Sequence, residues 1–248
     1  MDNLQFILID RSGLLVQEWT HAFSEHISDP TIRAKFTMLT MRGTLSDLGQ
    51  FDCIVSPANS YGRLDGGFDQ AISEALSPSS PLLPTHLAQK TLYSRYKGYA
   101  PPGTCTLVPL AGTACSPSNN PHACAYIALC PTMRVPEDVR WNREIVYNLM
   151  WALLVELERH NRAVAANSIG DGTSSDKGAS GEITAIRKVL MTGFGTGAGN
   201  ISAARCAQQM ALAVKHFVDA CAHPHKWSSL EWDDALSYAG EVRRTHDL

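Results

Sequence analysis

Short apolar segments alternate along the chain with longer stretches in which apolar residues recur at the spacing of an amphipathic helix. The short segments are rich in β-branched residues and are bounded by glycine, proline or asparagine, which predicts buried strands. These predicted strands cover residues 6–10, 36–41, 51–55, 101–110, 125–130 and 186–191. Helical spacing falls at residues 14–27, 68–75, 87–96, 141–160 and 202–221. The alternation predicts an α/β fold, a three-layer α/β/α arrangement in which helices cover both faces of a mixed sheet.

The regular alternation stops near residue 221, and this point divides the sequence into two predicted parts. Residues 1–221 form the α/β domain. Residues 222–248 are expected to be a C-terminal extension that packs on this domain through its aromatic residues, Trp227, Trp232 and Tyr238. Within the domain, residues 167–181 are rich in Gly, Ser and Asp, which favours a flexible insertion.

The composition is that of an ordinary globular protein and argues against several classes of function. Hydrophobic residues make up 44% and charged residues 18% of the 248 positions, which allows a sizeable core. A formal net charge of −3 gives no electrostatic basis for binding nucleic acid. The N-terminal segment lacks a basic region, and no stretch reaches the ~20 apolar residues of a membrane span. We therefore expect an intracellular protein, cytoplasmic or nuclear, with no membrane or nucleic-acid partner.

Cysteine and histidine spacing gives no metal site. The chain has seven cysteines, an odd number, and none forms a Cys-x-x-Cys pair. Reduced thiols are the default inside cells, so these residues are expected to be free. His223 and His225 flank a proline but have no cluster of partner ligands nearby in the sequence. The sequence predicts neither a metal nor a cofactor.

Two glycine-bearing loops each follow a predicted strand and precede a predicted helix. The first runs from Ser56-Pro57 past Asn59 to Gly66 and Gly67, and the second covers residues 193–200. Helix N-termini and glycine turns offer unpaired backbone N–H groups, and glycine lets a phosphate approach the backbone closely. Loops that follow strands of such a sheet share the rim at the carboxyl ends of the strands. The pattern therefore predicts a phosphate-containing ligand held between the two loops.

The amino-acid sequences of both loops resemble those of one protein family. From Asn59 to Ile72 the sequence reads Asn-Ser-Tyr-Gly-Arg-Leu-Asp-Gly-Gly-Phe-Asp-Gln-Ala-Ile. This segment resembles the first ligand loop of the macrodomain family, where Asn-Ala-Ala-Asn-Ser and a glycine run precede Val-Asp-x-Ala-Ile. The segment from Thr192 to Asn200 is similar to the second macrodomain loop, usually Ser-Thr-Gly-Val-Tyr-Gly. The resemblance covers residues 1–220 approximately and implies a macrodomain-like fold that binds ADP-ribose or a derivative such as ADP-ribose 1″-phosphate.

The resemblance also implies an activity and its residues. Asn59 would hold the distal ribose, and Asp69 would orient or deprotonate a water there. Asp65 stands where the family usually has glycine, and it precedes Asp69 by four residues. Both carboxylates are therefore expected in one pocket as catalytic candidates. There, the charge of one would raise the pKa of the other. The expected ligand contacts are Thr44, Leu45, Ala58, Asn59, Gly66, Gly67, Phe68, Phe194, Gly195, Thr196, Gly197, Ala198, Gly199 and Asn200.

The implied reaction is hydrolysis at the distal ribose without a metal or cofactor. It would release phosphate from ADP-ribose 1″-phosphate, or ADP-ribose from an ADP-ribosylated protein, which is then a further partner. Two other functions stay open: a non-catalytic ADP-ribose reader, and a relative that binds a different nucleotide. Local roles stay open as well, because Asn59 could only turn the chain, Asp69 could only face a helix dipole, and Asp65 could only be solvated.

Two positions depart from the family pattern. Thr44 stands where macrodomains usually have the aspartate that receives the adenine amino group. A hydroxyl accepts a hydrogen bond without charge, so weak discrimination for adenine is expected. Gly199 falls on the position of the family's loop tyrosine, so Phe194 or Tyr61 is expected to supply the aromatic contact.

Overall fold

The protein is built around a single six-stranded sheet in the part of the chain that the structure describes. The computed structural model describes residues 3–77, 79–170 and 183–248. The strands are β1 (Gln5–Asp10), β2 (Phe36–Thr40), β3 (Cys53–Ser56), β4 (Thr106–Pro109), β5 (Tyr126–Leu129) and β6 (Lys188–Met191). Their order across the sheet is β2-β1-β6-β3-β5-β4. All neighbours pair in parallel except β4, which is antiparallel to β5.

Helices cover both faces of this sheet. They are α1 (Leu14–His26), α2 (Pro30–Arg33), α3 (Gly67–Leu76), α4 (Leu83–Tyr96), α5 (Ile145–Gly170), α6 (Ala203–Ala222), α7 (Pro224–Trp227) and α8 (Trp232–Arg243). A 3-10 helix at Leu45–Asp47 follows β2. Two separate apolar clusters lie on opposite sides of the sheet: α1, α5 and α6 pack into one, and α3 and α4 pack into the other. The predicted three-layer α/β/α fold is confirmed.

The central strands β3, β5 and β6 are buried on both faces, as expected of a parallel sheet covered by two helical layers. Side chains alternate along a strand, so neighbouring residues enter different cores. In β6, Val189 and Met191 pack against the layer of α1, α5 and α6, whereas Leu190 packs against the layer of α3 and α4. β3 repeats this alternation with Val55 and Ile54. This explains why these central strands are nearly continuous apolar segments in the sequence.

Several predicted boundaries are wrong by a few residues. The helix predicted at 141–160 begins at Ile145, because Trp141 is 74% exposed and the buried apolar positions start at Ile145. That helix continues to Gly170, so residues 167–170 of the predicted insertion are helical; residues 171–181 lie outside the described residues. Helix α4 begins at Leu83 because Pro84 occupies its first turn, where a missing N–H costs nothing.

The C-terminal residues pack on α5 and α6 through two of the three expected aromatic side chains. Trp227 stacks on Trp151 with ring centroids 5.5 Å apart, and Tyr238 contacts His216 edge-on at 4.9 Å. Trp232 is 81% exposed, so the expectation that it docks is wrong. Helix α6 ends at Ala222, and the division of the chain at residue 221 stays a prediction. None of the helices in the described ranges is both long and apolar enough to cross a membrane.

Candidate functional site

A cavity of about 390 Å³, called here the first cavity, lies at the carboxyl ends of β3 and β6. Three segments form its wall: the first loop with the start of α3 (residues 57–69), Thr192 with the second loop up to Gly199, and residues 132–136 after β5. The predicted site residues in this wall are Ala58, Asn59, Asp65, Gly66, Gly67, Phe68, Asp69, Gly195, Thr196, Gly197, Ala198 and Gly199. The two glycine loops therefore meet at one site, as their shared position after parallel strands predicts.

Seven other residues of the wall were not among the predicted ligand contacts. They are Pro57, Arg63, Thr132, Met133, Pro136, Thr192 and Gly193. Residues 132 and 133 reach the site because Asn59 forms an isolated parallel bridge with Met133, which extends the β3–β5 pairing past the end of β3. The sequence signal for this segment is its place directly after a buried strand, the same signal that located the glycine loops.

Asn59 determines the shape of the first loop. Its side-chain oxygen accepts hydrogen bonds from the backbone N–H groups of Tyr61 at 3.1 Å and Arg63 at 3.3 Å. Its amide nitrogen donates to the carbonyl oxygen of Arg63 at 2.8 Å. An asparagine can stabilise a turn in this way, so the turn-forming alternative describes most of its hydrogen bonds. One amide hydrogen remains for a ligand, since the NH₂ group has two donors.

Both loops that border the first cavity have backbone N–H groups that donate to no other described residue. Helix α3 begins at Gly67, and its N-cap residue Gly66 has no side chain that could accept from the first-turn N–H groups. In the second loop, no backbone hydrogen bond between described residues uses the N–H groups of Thr196, Gly197 or Ala198. Unpaired donors at a helix N-terminus and on a glycine turn form a favourable environment for an anion.

The glycines of the site have two different roles. A Cβ atom at Gly66 or Gly197 would meet nothing within 4 Å, so these two positions border open space. A Cβ at Gly199 would lie 2.6 Å from the carbonyl oxygen of Gly195, and Gly195 itself has φ of +67°. Side chains are therefore excluded at Gly195 and Gly199 by the fold of the loop.

Neither candidate for the missing aromatic contact lies in the wall. Phe194 is fully buried in the core on the side of α1 and α6, so the expectation that it contacts a ligand is wrong for this structure. The Tyr61 hydroxyl accepts a hydrogen bond from Arg134 at 3.2 Å, outside the cavity wall. Gly199 has no room for a side chain. Phe68 is the aromatic residue that borders the cavity among those described.

Asp69 is a buried carboxylic acid in the wall of the first cavity. It is 8% exposed, and the Ser56 hydroxyl donates a hydrogen bond to its Oδ1 at 2.6 Å. Burial raises the pKa of Asp69 to about 7; the Ser56 hydrogen bond opposes this rise, and the negative charge of Asp65 adds to it. The group thus changes protonation state near neutral pH, a property typical of general acids and bases.

Asp65 lies in the same wall and is paired with a base. Arg63 Nε donates to Asp65 Oδ2 at 2.8 Å, and its Nη2 contacts the same oxygen. About half of each side chain is exposed, 55% for Arg63 and 44% for Asp65. The structure brings Asp65 and Asp69 to one cavity, as their spacing in the sequence predicts, but in different surroundings: one is exposed and ion-paired, and the other is buried.

Besides Phe194, three further expected contacts, Thr44, Leu45 and Asn200, do not border the first cavity. The backbone N–H of Thr44 donates to Asp47 Oδ2 at 2.7 Å, which turns this corner into a cap of the 3-10 helix. Leu45 is buried in the apolar cluster beneath α3. Asn200 donates to Asp138 Oδ2 at 3.3 Å, and neither residue borders the cavity. Thr44, the position at which the family resemblance implies a contact with adenine, is therefore not part of this wall.

A second cavity of about 350 Å³ adjoins the first. Gly67, Phe68 and Thr192 border both, and the remaining wall is formed by Ile9, Asp10, Arg11, Met41 and Ala71. Asp10 Oδ2 accepts hydrogen bonds from the Ser12 hydroxyl at 2.7 Å and the Leu15 N–H at 3.1 Å. Asp10 lies at the carboxyl end of β1, and this position in the sequence already indicates that it lies on the same rim as the two loops.

No group of three or more His, Cys, Asp or Glu side chains in residues 3–77, 79–170 and 183–248 is arranged to hold a metal ion. None of the seven cysteines forms a disulfide, and all except Cys221 are buried. No protein-family model matches the chain. A comparison with curated proteins also found no match.

Proposed function

We propose that this protein binds ADP-ribose or a derivative, with the diphosphate between the two glycine loops. The proposal is supported by one cavity that brings together second-loop N–H groups with no acceptor among the described residues, the uncapped start of α3 and a buried carboxylic acid. Backbone donors suit a diphosphate because they supply several hydrogen bonds without a flexible side chain. The resemblance of both loops to macrodomain loops points to the same ligand.

The two adjoining cavities fit the two halves of such a ligand. Volumes of about 390 and 350 Å³ each fall within the range of small-molecule sites. The distal ribose would occupy the first cavity, near Asn59 and Asp69, and the adenosine half would occupy the second. Phe68 and Gly67, which border both cavities, would then lie beside the diphosphate.

The activity we propose is hydrolysis at the distal ribose of the bound ligand. Asp69 would act as the general base that activates water, because its pKa of about 7 leaves a substantial fraction ionised at neutral pH and still able to take a proton. Ser56 would fix the orientation of the carboxylate through its hydrogen bond to Oδ1. Asp65 is less suited to this role while Arg63 neutralises it.

A reader without catalytic activity is the second candidate, and Asn59 is the observation that favours it. Three hydrogen bonds within the loop already engage its amide, so it contributes to the shape of the site more than to the reacting ribose. A reader would bind ADP-ribose with the same loops and would not need a titrating carboxylate.

Binding and turnover are tested separately. Titration calorimetry with ADP-ribose, ADP, NAD and AMP identifies the ligand, and phosphate release from ADP-ribose 1″-phosphate measures turnover. Asp69→Asn should lower kcat by about 10²–10⁴ and change the affinity for plain ADP-ribose far less, because that complex needs no activated water. Asp65→Asn is the matched control in the same wall and should have a smaller effect on kcat.

The outcomes separate the two candidates. Absence of phosphate release, together with absence of ADP-ribose removal from a modified protein, would leave the reader as the function. Full turnover in Asp69→Asn would show that the base lies elsewhere. Absence of binding to all four nucleotides would refute the proposal as a whole.

A further inference from the structure

Arg63 is the one basic side chain in the wall of the first cavity, among the residues that the structure describes. Its backbone is held on both sides by Asn59, which accepts from its N–H at 3.3 Å and donates to its carbonyl oxygen at 2.8 Å. The residue that is expected to lie beside the distal ribose thus fixes the position of a cation. Arg63 is therefore located at the distal end of the proposed ligand.

The present partner of Arg63 is exchangeable. Its guanidinium pairs with Asp65, and both side chains are about half exposed. Ion pairs between exposed side chains contribute little to stability because water solvates both partners well. A ligand anion that arrives in the cavity can replace Asp65 as the partner without a large loss of folding stability.

An anionic group on the distal ribose would need such a cation. Asp65 and Asp69 both border the first cavity, and their negative charges repel a phosphate placed near them. The backbone donors of the two loops are occupied by the diphosphate in the proposed complex. Arginine binds phosphate with two parallel N–H donors, which suits a monoester at this end of the ligand.

We propose that Arg63 determines specificity: it leaves Asp65 to pair with an anionic substituent on the distal ribose, such as a 1″-phosphate. This inference rests on the proposed function, since it assumes that ADP-ribose occupies the site. A substrate whose distal ribose carries a neutral group gains nothing from Arg63, because the ion pair with Asp65 then stays intact. The exchange also uncovers the Asp65 carboxylate at the edge of the cavity.

The test is the ratio of two affinities in three proteins. ADP-ribose and ADP-ribose 1″-phosphate are titrated into the wild type, Arg63→Gln and Arg134→Gln. Arg134 is the matched control: it is an exposed arginine bonded to Tyr61, and it does not border the cavity. The wild type and Arg134→Gln should prefer the 1″-phosphate by about tenfold, which one charge-assisted hydrogen bond can supply, and Arg63→Gln should lose this preference.

Turnover of the 1″-phosphate during the titration is avoided by making the same comparison in an Asp69→Asn background. An equal preference in the wild type and Arg63→Gln would overturn the role of Arg63, and so would a wild type that binds both ligands equally well. Absence of binding to either ligand is a different result, since it would overturn the proposed function and this inference with it.

Discussion

Replacing Asp69 with asparagine should stabilise the protein at neutral and alkaline pH while it removes the proposed catalytic group. Asparagine has nearly the same shape as aspartate, and its Oδ1 can still accept the hydrogen bond from Ser56. The change therefore removes a buried charge without leaving a cavity or an unpaired hydroxyl. In the wild type, that charge is unfavourable because Asp69 is 8% exposed.

The size of the effect follows from the pKa of Asp69. Burial raises this pKa from its ordinary value of 3.8 to about 7, so between these values the folded state binds more protons than the unfolded state. The favourable contribution of the protonated group is fully present below pH 3.8 and is lost as pH rises through 7. The loss corresponds to about 4 kcal/mol of unfolding free energy at 1.36 kcal/mol per pKa unit.

The assay is urea unfolding of the wild type and Asp69→Asn at several values between pH 5 and pH 8. The difference in unfolding free energy should grow in favour of the variant across this range and level off above pH 8. Other titrating groups are common to both proteins and cancel in the difference. A difference that does not change with pH would refute the raised pKa and with it the argument for Asp69 as the base.

Replacing Ser56 with alanine keeps the Asp69 carboxyl group but should change its pKa. The Ser56 hydrogen bond lowers the pKa of Asp69, so its removal should raise that pKa and move the loss of stability to higher pH. The same shift should appear in the pH dependence of kcat if Asp69 is the catalytic base. Movement of the stability profile without movement of the rate profile would separate the buried acid from the chemistry.

The remaining predictions concern recognition of the adenine of the proposed ligand. Thr44→Ala should leave the affinity for ADP-ribose within about twofold of the wild type, because the Thr44 corner is bonded to Asp47 and borders neither cavity. Asp10→Asn keeps an acceptor for the Leu15 N–H but loses the charge in the second cavity, so it should reduce the preference for ADP-ribose over its hypoxanthine analogue. Calorimetry with the two ligands checks both; a large effect of Thr44→Ala, or none of Asp10→Asn, would contradict this assignment.

The two glycine loops could be located from sequence because local rules determine them. A strand, a glycine-bearing loop and a helix start put a loop on the carboxyl rim of a parallel sheet wherever the strand lies in the sheet order. Asp69 and Asp65 were found for the same reason, since both fall within a few residues of the first loop. The burial that raises the pKa of Asp69 comes from the surrounding fold, and sequence spacing alone indicated only the contribution of Asp65.

The residues whose positions were not predicted correctly are placed by tertiary contacts. Thr44 was expected at the ligand, but Asp47 binds its backbone three residues later and turns the corner into a helix cap. Phe194 was expected to supply the aromatic contact that is missing at Gly199, yet its large apolar side chain is buried in the core. The place of Asp10 after β1 predicts that it lies on the rim, but its position beside the two loops depends on the pairing of β1 with β6, which no local pattern reveals.

A valine at Gly197 would occupy the position that we propose for the diphosphate between the two glycine loops. A Cβ at Gly197 meets nothing within 4 Å, so the side chain should fit the unliganded protein and fill the space proposed for the phosphates. Gly49→Val is the matched control, since Gly49 is an equally open loop position outside both cavities.

The measurement is calorimetric titration of ADP-ribose into the wild type and both valine variants, with the thermal midpoint of each protein measured alongside. We predict that Gly197→Val weakens binding by about a hundredfold or more, which is about 3 kcal/mol, with a nearly unchanged midpoint. Gly49→Val should bind as the wild type does. Wild-type affinity in a folded Gly197→Val protein would contradict the proposed position of the diphosphate.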